Sequence, residues 1–77
     1  MRLNPNHFRA NLLLGRLYGM QENAAKALPH LQQAVKLDPK SLEAHMFLAN
    51  VYLELGQKGN FERERTEVER LKSSRQE

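Results

Sequence analysis

NLLLGRLY at residues 11–18 and HMFLANVY at residues 45–52 are two versions of one phrase, set 34 positions apart. Leu14, Gly15 and Tyr18 answer to Leu48, Ala49 and Tyr52. The register also holds outside the phrase, where Ala10 pairs with Ala44 and Leu3-Asn4-Pro5 with Leu37-Asp38-Pro39. A fixed period of this size marks a stack of supersecondary units, each unable to bury its apolar face alone and so dependent on its neighbour.

Outward from the phrase, apolar residues recur at helical spacing. Phe8, Leu12, Leu14, Leu17, Tyr18 and Met20 define a first helix over about 7–20, entered after Pro5 with Asn6 as its N-cap. Gln21, Glu22 and Asn23 form a turn. The second helix, 24–37, has Ala27, Leu28, Leu31, Ala34, Val35 and Leu37 on one stripe. It stops at Asp38-Pro39, because a residue before proline avoids the α region. Pro29 removes one hydrogen bond and crowds the Ala25 carbonyl, which predicts a slight bend and no break.

Ser41 is the expected cap of a third helix, about 42–55, striped with Leu42, Ala44, Met46, Phe47, Leu48, Val51, Tyr52 and Leu55 and ended by Gly56. A fourth, about 60–73, is expected after Gly59 with Asn60 as cap. Its large apolar groups are Phe61, Val68 and Leu71, among Arg63/Glu67 and Arg65/Glu69 pairs at i, i+4. Gln57-Lys58-Gly59 is read as delaying this helix by two or three residues against a strict copy. A polar outer helix is what a stack needs at its end, where no neighbour covers it. The chain is thus expected to be all-α: four antiparallel helices without strands, in one domain over 1–77.

Size and charge narrow the function. A chain of 77 residues makes one domain at most and buries only about 60% of the surface it exposes unfolded. There is no cysteine, which excludes disulfides, thiol catalysis and thiolate metal sites. The strongest apolar run, Leu12-Leu13-Leu14, is far shorter than a membrane helix or signal-peptide core, so a soluble chain without a membrane role is expected. The net charge of +3 rests on an excess in the first forty residues, where six basic groups stand against two acidic ones. That excess could attract an acidic peptide but is too diffuse, and too poor in stacking aromatics, for nucleic acid.

The string Asn11-x2-Leu14-Gly15-x2-Tyr18, followed by Ala27-x3-Leu31, Ala34 and Pro39, resembles one tetratricopeptide repeat. A second copy follows as His45-x2-Leu48-Ala49-x2-Tyr52 with Gly56 at the turn. It fades in the fourth helix, where Glu64 falls near the family's small residue. Asn11 and His45 stand where the family usually has Trp. The resemblance implies two helix-turn-helix repeats, about 8–41 and 42–73, as a segment of a right-handed superhelix. The physical reading agrees: Gly15 and Ala49 lack bulk and let the paired helix approach, with Ala27 facing Gly15, while Tyr18 and Tyr52 fill the seam between repeats. Because Leu3-Asn4-Pro5 copies the end of a repeat, the chain is expected to be the C-terminal piece of a longer array.

Catalysis finds no support in these residues. His7, His30 and His45 share no i, i+3 or i+4 spacing and have no nearby carboxylate set, so no metal is expected. The acids lie mostly on the polar fourth helix, and Gly15, Gly19, Gly56 and Gly59 are too scattered for a phosphate loop. No enzyme activity and no cofactor are expected. The resemblance instead implies recognition of a protein or peptide along a concave face. Carried over to this chain, that face is Arg9, Leu12, Arg16 and Met20, then Glu43, Met46, Asn50 and Glu54, which helical spacing places together independently. Leu13 and Phe47 could join its apolar floor or turn into the core.

Some members of the family clamp a C-terminal carboxylate with a Lys and an Asn. Here Asn50 matches the Asn and Met46 stands in place of the Lys, so that activity is not expected. The rival reading is a structural end cap or self-association module, including a homodimer through an uncovered side of the first helix near Phe8.

Overall fold

The computed structural model describes residues 7–75, which form four helices and, among the described residues, no strand. They are α1 (Phe8–Met20), α2 (Ala24–Leu37), α3 (Leu42–Glu54) and α4 (Lys58–Arg75). α1 packs on α2 and α3 on α4; α2 meets α3 across the seam, and α1 also touches α3. The fold is therefore two helix-turn-helix units side by side, as the period predicts. Leu3-Asn4-Pro5 and Asn6 lie outside the described residues.

Each helix starts on a specific acceptor. His7, and not Asn6, caps α1, its Nδ1 accepting from the Ala10 N–H. Asn23 and Ser41 cap α2 and α3 through their side-chain oxygens. α4 begins at Lys58, two residues before the expected start. The Gln57 carbonyl accepts from Phe61 N–H at 2.9 Å, and Asn60 sits inside the first turn with its amide donating to Gln57 Oε1. α2 runs unbroken through Pro29.

The early start of α4 corrects the expected delay, because the backbone keeps the 34-residue register to its end. In the first turn Asn23 N–H donates to the Tyr18 carbonyl at 2.9 Å, and in the second Gln57 N–H donates to Tyr52 at 2.9 Å. This is the bond that closes a Schellman turn, and it needs a left-handed residue just before the donor. Gly56 (φ +75°) and Glu22 (φ +58°) fill that position. Glycine adopts it freely, whereas Glu22 holds it at a conformational cost.

Ala24, Ala27, Leu31, Leu48, Val51 and Tyr52 make the core, with Leu12, Tyr18, Leu28, Val35, Phe47, Leu55 and Phe61 packed against it. Tyr52 lies at the seam and accepts from Gln32 Nε2 of α2, while Tyr18 stacks on His30 within the first repeat. Gly15 is opposed by Leu31: a Cβ there would fall well inside contact distance of Leu31 Cγ and Cδ2. The ion pairs of α4 also differ from the expected i, i+4 set. Arg65 meets Glu62, Arg70 meets Glu67 and Arg63 meets Glu64.

Two polar residues replace the large aromatic that usually fills each repeat's first helix, and both are buried with partners. Asn11 Nδ2 donates to the His7 carbonyl, leaving Oδ1 to accept from His30 Nδ1 at 3.4 Å. In the second repeat His45 Nε2 donates to the Pro39 carbonyl at 2.7 Å. Its Nδ1 lies 2.6 Å from Glu64 Oε1. Sequence spacing alone, which found no carboxylate near His45, missed this pair.

Candidate functional site

α1 and α3 lie side by side and leave a cleft between them, open to solvent and floored by the core. Its upper part is a cavity of about 320 Å³ between Arg9, Leu12, Leu13 and Arg16 of α1 and Glu43 and Phe47 of α3. Below it a second cavity, about 460 Å³, has Gly15, Gly19, Leu31, Phe47 and Val51 as its apolar lining, with Arg16, Met20, Asn50 and Glu54 also around it. Arg16 and Phe47 border both. Of the concave-face residues read from sequence, all but Met46 line one cavity or the other; Met46 is exposed outside both.

The shape follows from the glycines. Leu31 of α2 fills the space that a side chain on residue 15 would need, and so forms the cavity floor. Gly19, one turn further, faces nothing within 4 Å, so its missing side chain is open volume. A glycine within a helix costs roughly 1 kcal/mol relative to alanine, and nothing in the packing requires this one. That was the available sequence signal for Gly19, and the helical stripe did not include it. Phe47 is half-buried, both packed on the core and presented to the cleft. Leu13 is exposed at the upper cavity.

The charges around the cleft are uncompensated. Among the described residues neither Arg9 nor Arg16 forms an ion pair, and neither does Glu43 or Glu54, whereas Arg63, Arg65 and Arg70 of α4 are paired. On α4 the hydrogen bond from Arg70 holds the Glu67 carboxyl below its ordinary value, and Glu67 in turn raises Arg70. The basic wall of the cleft is thus on α1 and the acidic wall on α3. Among the described residues no three His, Asp or Glu side chains gather closely enough to hold a metal ion, and no helix is long and apolar enough to cross a membrane.

The Tetratricopeptide repeat family model matches residues 20–59, from the last residue of α1 into the first turn of α4 and over more than half of the chain. The chain belongs to the tetratricopeptide repeat family. No curated protein and no solved structure matches it. Tetratricopeptide repeats are helical scaffolds, generally non-enzymatic, that generally mediate protein–protein interaction and typically bind proteins or peptides.

Proposed function

We propose that the chain is a protein–protein interaction scaffold that takes a peptide or partner segment into the α1–α3 cleft. The observation that carries this reading is the coincidence, in one concave place, of an apolar floor with arginines that form no ion pair among the described residues. These charges border a recess, where a few polar groups around an apolar floor are the usual make-up of a binding site. Arg9, Leu12, Arg16 and Met20 from α1, with Glu43, Asn50 and Glu54 from α3, would make the contacts, and Met46 would extend them beyond the rim. The test is a random-peptide display selection on the folded protein, repeated with Arg16→Glu. Peptides captured by the native cleft should be lost by the variant, and a chain that selects no peptides sensitive to Arg16 is not a groove binder.

A second reading, self-association through α1, rests on a comparison within the molecule. Leu14 and Leu17 are 39% and 44% exposed, while their copies 34 positions on, Leu48 and Val51, are 3% and 2% exposed under α2. The same helix face is covered in one repeat and bare in the other. On this reading two chains bury it against each other as a homodimer, and the module serves assembly more than ligand capture. Sedimentation equilibrium from micromolar to millimolar protein tests it: a single species of 8.9 kDa throughout overturns the idea.

A further inference from the structure

His45 and Glu64 take no part in the cleft, yet they are the buried base and the buried acid of the described residues. They stand where repeats of this family usually have a tryptophan and a small residue, so their chemistry belongs to this chain and not to the fold at large. Both ring nitrogens of His45 meet oxygen. A carbonyl has no proton to give, so the 2.7 Å contact with Pro39 requires a hydrogen on Nε2. The 2.6 Å contact between Nδ1 and Glu64 Oε1 requires a second hydrogen, carried by the nitrogen or by the oxygen. A neutral imidazole beside a carboxylate owns only one. Without the other, two lone pairs face each other in a buried place at a separation that only a hydrogen bond sustains.

We propose that the His45–Glu64 contact is a proton-operated clasp between α3 and α4, which makes the second repeat firmest at mildly acidic pH and loosens it as pH rises. The direction follows from the protons each state holds. Between the ordinary glutamate and histidine values, about 4.3 and about 6.5, the unfolded chain carries one proton on these two residues, as the clasp does, and their contribution is level. Above about 6.5 the unfolded histidine is neutral while the closed clasp keeps its proton, so the folding constant falls by up to about tenfold per pH unit. The fall ends where the fold gives the proton up.

The surrounding charges leave the pair to itself. From α4, Arg63 reaches the other oxygen of Glu64 at 3.8 Å, and Glu67 also faces the ring, its carboxyl held low first by the hydrogen bond from Arg70 and in smaller part by His45. Among the described residues α1 and α2 bring no ion pair to either partner. The first repeat lacks the device. There Asn11 faces His30 Nδ1 at 3.4 Å, and an amide, which has both donor and acceptor atoms, fits a neutral ring.

Urea unfolding from about pH 5 to 9 tests this on the native chain, on Glu64→Gln and on the double variant His45→Phe with Glu64→Leu. In Glu64→Gln the amide can donate to Nδ1 of a neutral ring, as an amide meets a histidine in the first repeat, so the contact survives without the extra proton. Relative to either variant, the native folding constant should fall at least about fivefold between about pH 6.5 and 8. His7 and His30 are common to all three and cancel. Refolding the native chain from urea at about pH 7.5, lightly buffered with an indicator dye, should take up more than about half a proton. A Glu64→Gln profile with the native slope overturns the clasp, and so does a native profile parallel to that of the double variant. Should either variant fail to fold, the native chain decides alone: refolding without proton uptake overturns the proposal, and uptake supports it.

Discussion

Two glycines four residues apart on α1 should respond to the same substitution with opposite signs. Gly19→Ala adds a methyl where nothing lies within 4 Å and removes the entropy cost of a glycine in the last turn of α1, so it should stabilise by up to roughly 1 kcal/mol. Gly15→Ala gains the same propensity, but its Cβ lands on Leu31 Cγ and Cδ2. Leu31 is fully buried and cannot swing into solvent, so the contact has to be relieved by off-rotamer side chains or by parting α1 from α2. Overpacking of that kind costs about 1–3 kcal/mol. The two variants should therefore differ by about 1–3 kcal/mol, with Gly19→Ala above the native protein and Gly15→Ala at or below it. At about 4–8 °C per kcal/mol for a domain this small, their midpoints should lie roughly 5–20 °C apart in thermal melts followed by circular dichroism. Equal midpoints, or a more stable Gly15→Ala, would refute the α1–α2 crossing described here.

Three further outcomes can be checked on the same variants' footing. Glu64→Ala leaves the buried His45 Nδ1 without its acceptor and should cost about 1–3 kcal/mol, while His45→Phe with Glu64→Leu should restore or exceed native stability in urea unfolding; a double variant worse than either single one would show the pair to be a net stabiliser. Glu22→Gly relieves a left-handed glutamate and should raise stability by roughly 0.5–1 kcal/mol, and Gly56→Glu should lower it by about the same; no change in either would mean that the two turns do not share their geometry. Arg70→Ala should move the Glu67 carboxyl titration upward in a carbon-detected NMR series. Because Glu67 is held low when folded, the pair's small contribution is present above the unfolded carboxyl's value and fades as pH falls through the folded one; an unmoved midpoint would mean Arg70 does not bond it.

The fold was legible because its signals are short-range. Gly15, Ala49, the two tyrosines and Asp38-Pro39 each constrain the backbone locally, and their recurrence at 34 positions sets the topology. What escaped the sequence depended on contacts across helices. His45 and Glu64 are 19 positions apart, and so are Asn11 and His30; only the packing of paired helices shows that the first pair is the second shifted by 34. The apparent delay of α4 had a similar origin. Its apolar residues Phe61, Val68 and Leu71 look displaced because Arg65 stands at the copy of Leu31 and Lys58 at the copy of Ala24, although caps and turn keep register. In the cleft, charge and helical face were readable, but the recess at Gly19 was not, since an empty volume leaves no apolar residue to count.

The exchange of Leu31 for Arg65 also bears on how two chains could meet. In the first repeat Leu31 is enclosed between α1 and the cleft floor, whereas Arg65 is exposed and pairs with Glu62. Lys58, Glu62, Arg65 and Glu69 all lie exposed on α4, a solvated surface that fits the proposal of α4 as the polar end of the stack. Leu14 and Leu17 give the other end an apolar face. Stacking the bare side of α1 on the charged side of α4 would strip water from those charges and offer them no new partner. On the self-association reading head-to-tail growth into a filament is therefore disfavoured against an arrangement that joins α1 to α1 through a two-fold axis. On that reading such an interface closes on itself, so association by this route would stop at a dimer.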